Sequence, residues 1–131
     1  MIALDTNVLV RFLVEDDEVQ AAKATSLFEQ AIADGTALFI SEVVLCETVW
    51  VLTSRYGFSR GEVAAVLRRL LDADHLSFPA PDQHSRALAA FSSGKGDFAD
   101  YVIREQGLAA GCTAVATFDR ALLKETGYQS P

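Results

Sequence analysis

Cysteine is scarce in this chain. Cys46 and Cys112 are the only two among 131 residues, and no CxxC pair or His-rich spacing accompanies them. A disulfide-built scaffold and a thiolate zinc site are therefore both excluded. Each thiol lies in an apolar stretch, so both are expected in the core of a protein from a reducing compartment. Bases are also in short supply: 11 Lys and Arg stand against 18 Asp and Glu, a net charge of −7. No global basic field can hold a polyanion, so a nucleic-acid site must be local or metal-mediated. Long apolar runs are missing as well. The start, MIALDTNVLVRFLVEDDE, has no basic leader region, and Asp5, Asn7 and Arg11 interrupt its apolar residues. With no stretch near the length of a membrane span, the expectation is a cytoplasmic protein with no membrane contact. Three prolines and eight glycines form no linker, and no repeat divides the chain. Residues 1–131 therefore read as a single domain.

What is present is apolar: half the residues are hydrophobic and 22% are charged, enough to fill one core. Short apolar runs at 2–4, 38–40 and 114–117 are too brief for helices and each ends in a polar residue, as buried parallel strands do. A weaker fourth run occupies 75–78, ahead of Pro79-Ala80-Pro81. Between the runs lie helical patterns. Residues 18–34 place Ala24, Leu27, Phe28, Ala31 and Ile32 on one stripe, and 60–73 do the same with Val63, Val66, Leu67, Leu70 and Leu71. Ser59 and Glu62 have capping-box spacing at the start of the second. Helices are also expected at 42–56, which is apolar almost all round, at 82–92 and at 98–110. Strands alternating with helices imply an α/β fold whose parallel sheet is covered on both faces.

Ligands of such sheets bind beyond the carboxyl ends of the strands, and here those ends are acidic. Asp5 follows the first strand directly, and Asp119 lies just past 114–117. Either alone could be an ordinary helix cap or turn residue. Glu47 is harder to explain, because apolar residues flank it on both sides and no Lys or Arg lies within one turn. A carboxylate so placed needs an Arg from elsewhere, an escape to the rim of the core, or a cation. Asp97 and Asp100 share a face at the start of 98–110, Asp97 as an N-cap or a ligand and Asp100 as the better ligand candidate. Acids converging without His or Cys point to Mg²⁺ or Mn²⁺, which take oxygen ligands. Phosphoryl transfer or phosphodiester hydrolysis is the usual chemistry of such centres.

The segments DTNVLVRFL (5–13), SEVVLCETVWVL (41–52), GDFADYVI (96–103) and TFDR (117–120) together resemble the PIN-domain ribonucleases, specifically the VapC toxins of bacterial toxin–antitoxin modules. The resemblance spans nearly the whole chain. It implies a three-layer α/β/α fold with a parallel sheet of four to five strands in the order 3-2-1-4-5, although 125–131 holds little that reads as a strand. It implies that Asp5, Glu47, Asp100 and Asp119 form a catalytic metal site, with Asp97 as an additional acid and Thr6, Asn7 and Thr117 orienting the ligands. The activity implied is cleavage of single-stranded or looped RNA by metal-activated water. The partners implied are a second copy of the chain and a cognate antitoxin, which lies in an apolar groove and reaches a basic side chain into the acids.

Lys95, Arg104, Arg11 and Arg120 lie near the acids in sequence, either as an RNA-binding rim or as solvated surface charges. Val8, Leu9, Phe12, Leu13, Trp50, Tyr56 and Phe58 could form partner surfaces, or simply core; Trp50 is expected in the core. Two other readings compete. A receiver-like Mg²⁺-binding phospho-acceptor domain has a similar length and sheet, but it needs an acidic pair after the first strand, where Asp5 stands alone before Thr6. A PIN-type binding module without catalysis has no reason to keep the full acid set.

Overall fold

The computed structural model describes residues 1–131. Strand β1 (Ile2–Ala3) leads into helix α1 (Thr6–Leu13), followed by α2 (Glu18–Asp34), β2 (Leu38–Phe39), α3 (Glu42–Ser54), α4 (Arg60–Asp72), β3 (Leu76–Ser77), α5 (Pro81–Ser93), α6 (Phe98–Ala109), β4 (Val115–Ala116), a 3₁₀ turn (Leu122–Lys124) and β5 (Tyr128–Gln129). The fold is α/β, and every strand pair is parallel. β2 lies between β1 and β3, while β4 pairs with β5 in a separate two-stranded ladder. The expected neighbours 3-2-1 and 4-5 are thus present, and no strand hydrogen bonds join β1 to β4. The tail does contribute a fifth strand of two residues. No helix is long and apolar enough to cross a membrane.

The five expected helices form, all within two residues of their expected ends. α4 begins at the capping box: the Glu62 amide donates to Ser59 Oγ at 3.2 Å and the Ser59 amide donates to Glu62 Oε1 at 3.0 Å. Its stripe Val63, Val66, Leu67 and Leu70 is buried. In α2, Ala24, Phe28 and Ala31 are buried, but Ile32 faces solvent. α1 was not expected. Its eight residues follow β1 almost directly, and Asp5 turns the chain into the helix as its N-cap. Thr6, Leu9 and Val10 turn inward, at the spacing that makes one helical face.

The core gathers the inner faces of all six helices around Leu4, β2 and β3, whereas both residues of β1 are exposed, against the buried strand expected there. Its largest fully buried side chains include Phe28, Phe98 and Tyr101, with Phe12 stacked on Phe28. Two sequence readings fail at its edge. Cys112 is exposed and Cys46 only half-buried; Trp50 is 65% exposed. α3 is apolar all round, so composition could not say which face packs. Leu45, Thr48, Val49 and Leu52 pack inward, leaving Trp50 outside.

Candidate active site

Each candidate acid is placed by a junction. Asp5 caps α1, with Oδ1 accepting from the Asn7 amide at 3.2 Å. Glu47 is on α3, and its Oε1 accepts from the buried Thr6 hydroxyl at 3.0 Å. The carboxylate is exposed, so of the three sequence explanations the rim of the core is the observed one. No Arg pairs with it. Asp97 is the N-cap residue of α6, and its amide donates to Asp100 Oδ2 at 2.8 Å. Asp119 Oδ1 accepts from the amides of Ala121 and Leu122 at 2.9 and 3.3 Å. Asn7 therefore acts through its backbone, and Thr117 through the Asp119 amide, which donates to its hydroxyl at 3.1 Å.

Two groups of acids result. Thr6 joins the segment of Asp5 to Glu47, while Asp97, Asp100 and Asp119 gather with a residue absent from the sequence reading, Glu125. Burial raises the Asp100 carboxyl above its ordinary value, and the charges of Asp97, Asp119 and Glu125 push it further, against the lowering effect of the Asp97 amide. As placed, no three His, Cys, Asp or Glu side chains converge closely enough to hold one ion, which narrows the expectation of four or five convergent acids.

The donor set nevertheless suits a hard divalent cation. Asp5, Glu47, Asp100 and Asp119 each have one oxygen fixed by a hydrogen bond and a second with no protein partner. None of them pairs with a Lys or Arg. Oriented carboxylates without counter-charge match what Mg²⁺ and Mn²⁺ ligate. In metal-free protein, Asp100→Asn is expected to raise thermal stability at neutral pH. The sign follows from linkage: a folded-state pKa above the ordinary 3.8 means that the native state holds the proton more tightly. Ionisation of Asp100 therefore costs stability as pH rises through that region. The gain from Asn should shrink as melts are taken toward pH 3.8, and an equal gain at every pH would exclude this cause.

Glu125 is held beneath the acids by Tyr101, whose hydroxyl lies 2.9 Å from both carboxylate oxygens and accepts from the Gly96 amide at 2.9 Å. The Lys95 amide also donates to Glu125, at 3.3 Å. Loop 94–97 thus rests directly on Tyr101. A Cβ at Gly94 would lie 1.9 Å from the Tyr101 hydroxyl and 2.8 Å from the Ala90 carbonyl oxygen. Gly94→Ala should accordingly cost about 1–3 kcal/mol through overpacking, read as a lower urea midpoint; an unchanged midpoint would show that the loop yields freely.

The expected basic rim divides. Lys95 and Arg120 are exposed, with no side-chain partner. Arg104 is instead committed to the fold, donating to Glu105 and to the Thr126 carbonyl and lying over the rings of Tyr101 and Tyr128. Arg11 bonds Asp16, Gln20 and the Tyr56 hydroxyl. Sequence proximity to the acids could not reveal these partners.

A parallel α/β fold with capped carboxylates at its strand ends defines a class of acidic-site domains. The PIN domain family model matches residues 2–127, and the chain belongs to that family. It is similar to the VapC ribonuclease of Aquifex aeolicus (strain VF5), with 26% identity over 127 residues, covering 97% of this chain and 93% of that protein.

Proposed function

We propose that this chain is a Mg²⁺- or Mn²⁺-dependent endoribonuclease and the toxin of a toxin–antitoxin pair. The observation that carries the reading is the set of four carboxylates, Asp5, Glu47, Asp100 and Asp119, each with a fixed oxygen, a free oxygen and no basic partner. Membership of the PIN family and likeness to a relative named as a ribonuclease support it. Those four residues are the proposed ligands, with Asp97 as a supporting acid. Such a cation, when bound, supplies an activated water and offsets charge developing on the phosphate. The chain's own part is to orient: Thr6 aims Glu47, the Asn7 amide fixes Asp5, and Thr117 shapes the turn that carries Asp119. Lys95 and Arg120 remain the proposed RNA-binding cations.

The proposed antitoxin site is the cleft of about 350 Å³ between α1 and α2, lined by Asn7, Val8, Arg11, Gln20, Lys23, Ala24 and Leu27. Val8 and Leu27 give it an apolar floor, and Asn7 places its end within two residues of Asp5. A segment seated there can extend a basic side chain toward the uncompensated acids. Self-association as a homodimer in the cytoplasm belongs to the same reading. Incubating the purified chain with single-stranded RNA and Mg²⁺ tests the activity. Scission at internal phosphodiester bonds is expected, and RNA left intact at stoichiometric protein would overturn the proposal. The second outcome would favour a PIN-type binding module.

A further inference from the structure

Trp50 is the chain's single tryptophan, and 65% of it is exposed although half the sequence is apolar. It borders a cavity of about 490 Å³ whose walls include Thr53, Arg60, Phe91, Asp97 and Phe98. That volume is within the roughly 300–1,000 Å³ typical of small-ligand sites. The far wall is rigid: Arg60 donates to the carbonyls of Phe91 and Gly96 at 2.9 and 2.8 Å, and its guanidinium lies 4.4 Å from the centre of the Phe91 ring. Asp97 belongs both to this cavity and to the acid group. Trp50 follows Glu47 by three residues on α3, so the two side chains share a helical face with a rise of about 4.5 Å between them.

From this juxtaposition we infer that Trp50 is a stacking platform for an unpaired nucleobase of the RNA substrate, seating the nucleotide beside the scissile phosphate in the cavity shared with Asp97. The inference rests on the nuclease reading above and adds a determinant of substrate binding to it. Charge is the reason that such a platform is needed. The chain carries −7, and two of the four cations near the acids are tied into the fold, so phosphate contacts supply little attraction. Stacking on an aromatic face depends on no net charge and suits single strands, whose bases are free to turn outward. Thr53 and Asp97 at the cavity wall can meet the polar edge of a stacked base. A base also fits better than a second copy of the chain, because a protein covering Trp50 would cover Glu47 on the same face.

A single tryptophan makes the test direct. Wild-type protein is mixed in a stopped-flow cell with a mixed-sequence single-stranded RNA oligonucleotide and Mg²⁺, and tryptophan emission is followed with cleavage. Emission should be quenched before scission. Trp50→Ala should raise KM about 5- to 100-fold with kcat little changed, while Trp50→Phe should recover most of the loss. Cleavage without quenching, and with Trp50→Ala indistinguishable from wild type, overturns the platform and leaves the nuclease reading standing. Quenching without cleavage supports the platform and overturns the nuclease reading instead. An emission shift on diluting the protein alone places Trp50 between copies of the chain and overturns the inference.

Discussion

Glu47→Gln is expected to reduce RNA cleavage by more than about 100-fold while leaving the protein folded. The shape of the side chain is kept, and the amide oxygen can still accept from Thr6, whose hydroxyl lies 3.0 Å from Glu47 Oε1. What is lost is the negative charge on the one proposed ligand supplied by α3. Losing a group that merely orients a metal ligand already costs about 10- to 100-fold, and losing a ligand's charge should exceed that. Stability should move by less than about 0.5 kcal/mol, because the carboxylate is exposed and has no ion-pair partner. The sequence alone left open a buried Arg partner, for which the same change would have been strongly destabilising; the structure removes that alternative. Thr6→Val gives the graded comparison, a loss within the 10- to 100-fold range. Thermal melts beside cleavage rates check both variants. A folded Glu47→Gln protein cutting at wild-type rate would remove this residue from the centre.

The second large effect is on stability. Tyr101 is fully buried, and its hydroxyl connects the Gly96 amide to Glu125. Tyr101→Ala removes the ring from beneath loop 94–97 and should cost about 3–5 kcal/mol. Tyr101→Phe keeps the ring but strips a buried amide of its acceptor, for about 1–3 kcal/mol. Urea denaturation of the pair separates packing from hydrogen bonding. If the two variants lost equal stability, the ring would contribute nothing beyond its hydroxyl.

The parts of this molecule that could be read in the sequence are those governed by local rules. The inward stripe of α4 and the box of Ser59 and Glu62 both depend on spacing within one helix, and both are present. Asp5 and Asp119 stand at strand ends for the same reason. The misreadings share a different cause. Cys112 is exposed in the turn that follows α6, and Trp50 faces solvent because packing chose among the equally apolar faces of α3, a choice made by tertiary contacts. Ile32 leaves its stripe in the same way. Arg104 finds its partners in Glu105 and in Thr126 near the end of the chain, and Glu125 reaches the acids through Tyr101, 24 positions earlier. Helix α1 is a different case: Thr6, Leu9 and Val10 have the spacing of one helical face and Asp5 the chemistry of an N-cap, but its eight residues are shorter than the window over which a period is read.

The central claim is that the four carboxylates work by holding a divalent cation. Its most direct test is the rate of RNA cleavage by purified, partner-free protein, first in excess EDTA and then with Mg²⁺ or Mn²⁺ restored beyond the chelator. No scission is expected in EDTA, and full recovery with either cation. Cleavage that continues unchanged in excess chelator would contradict it.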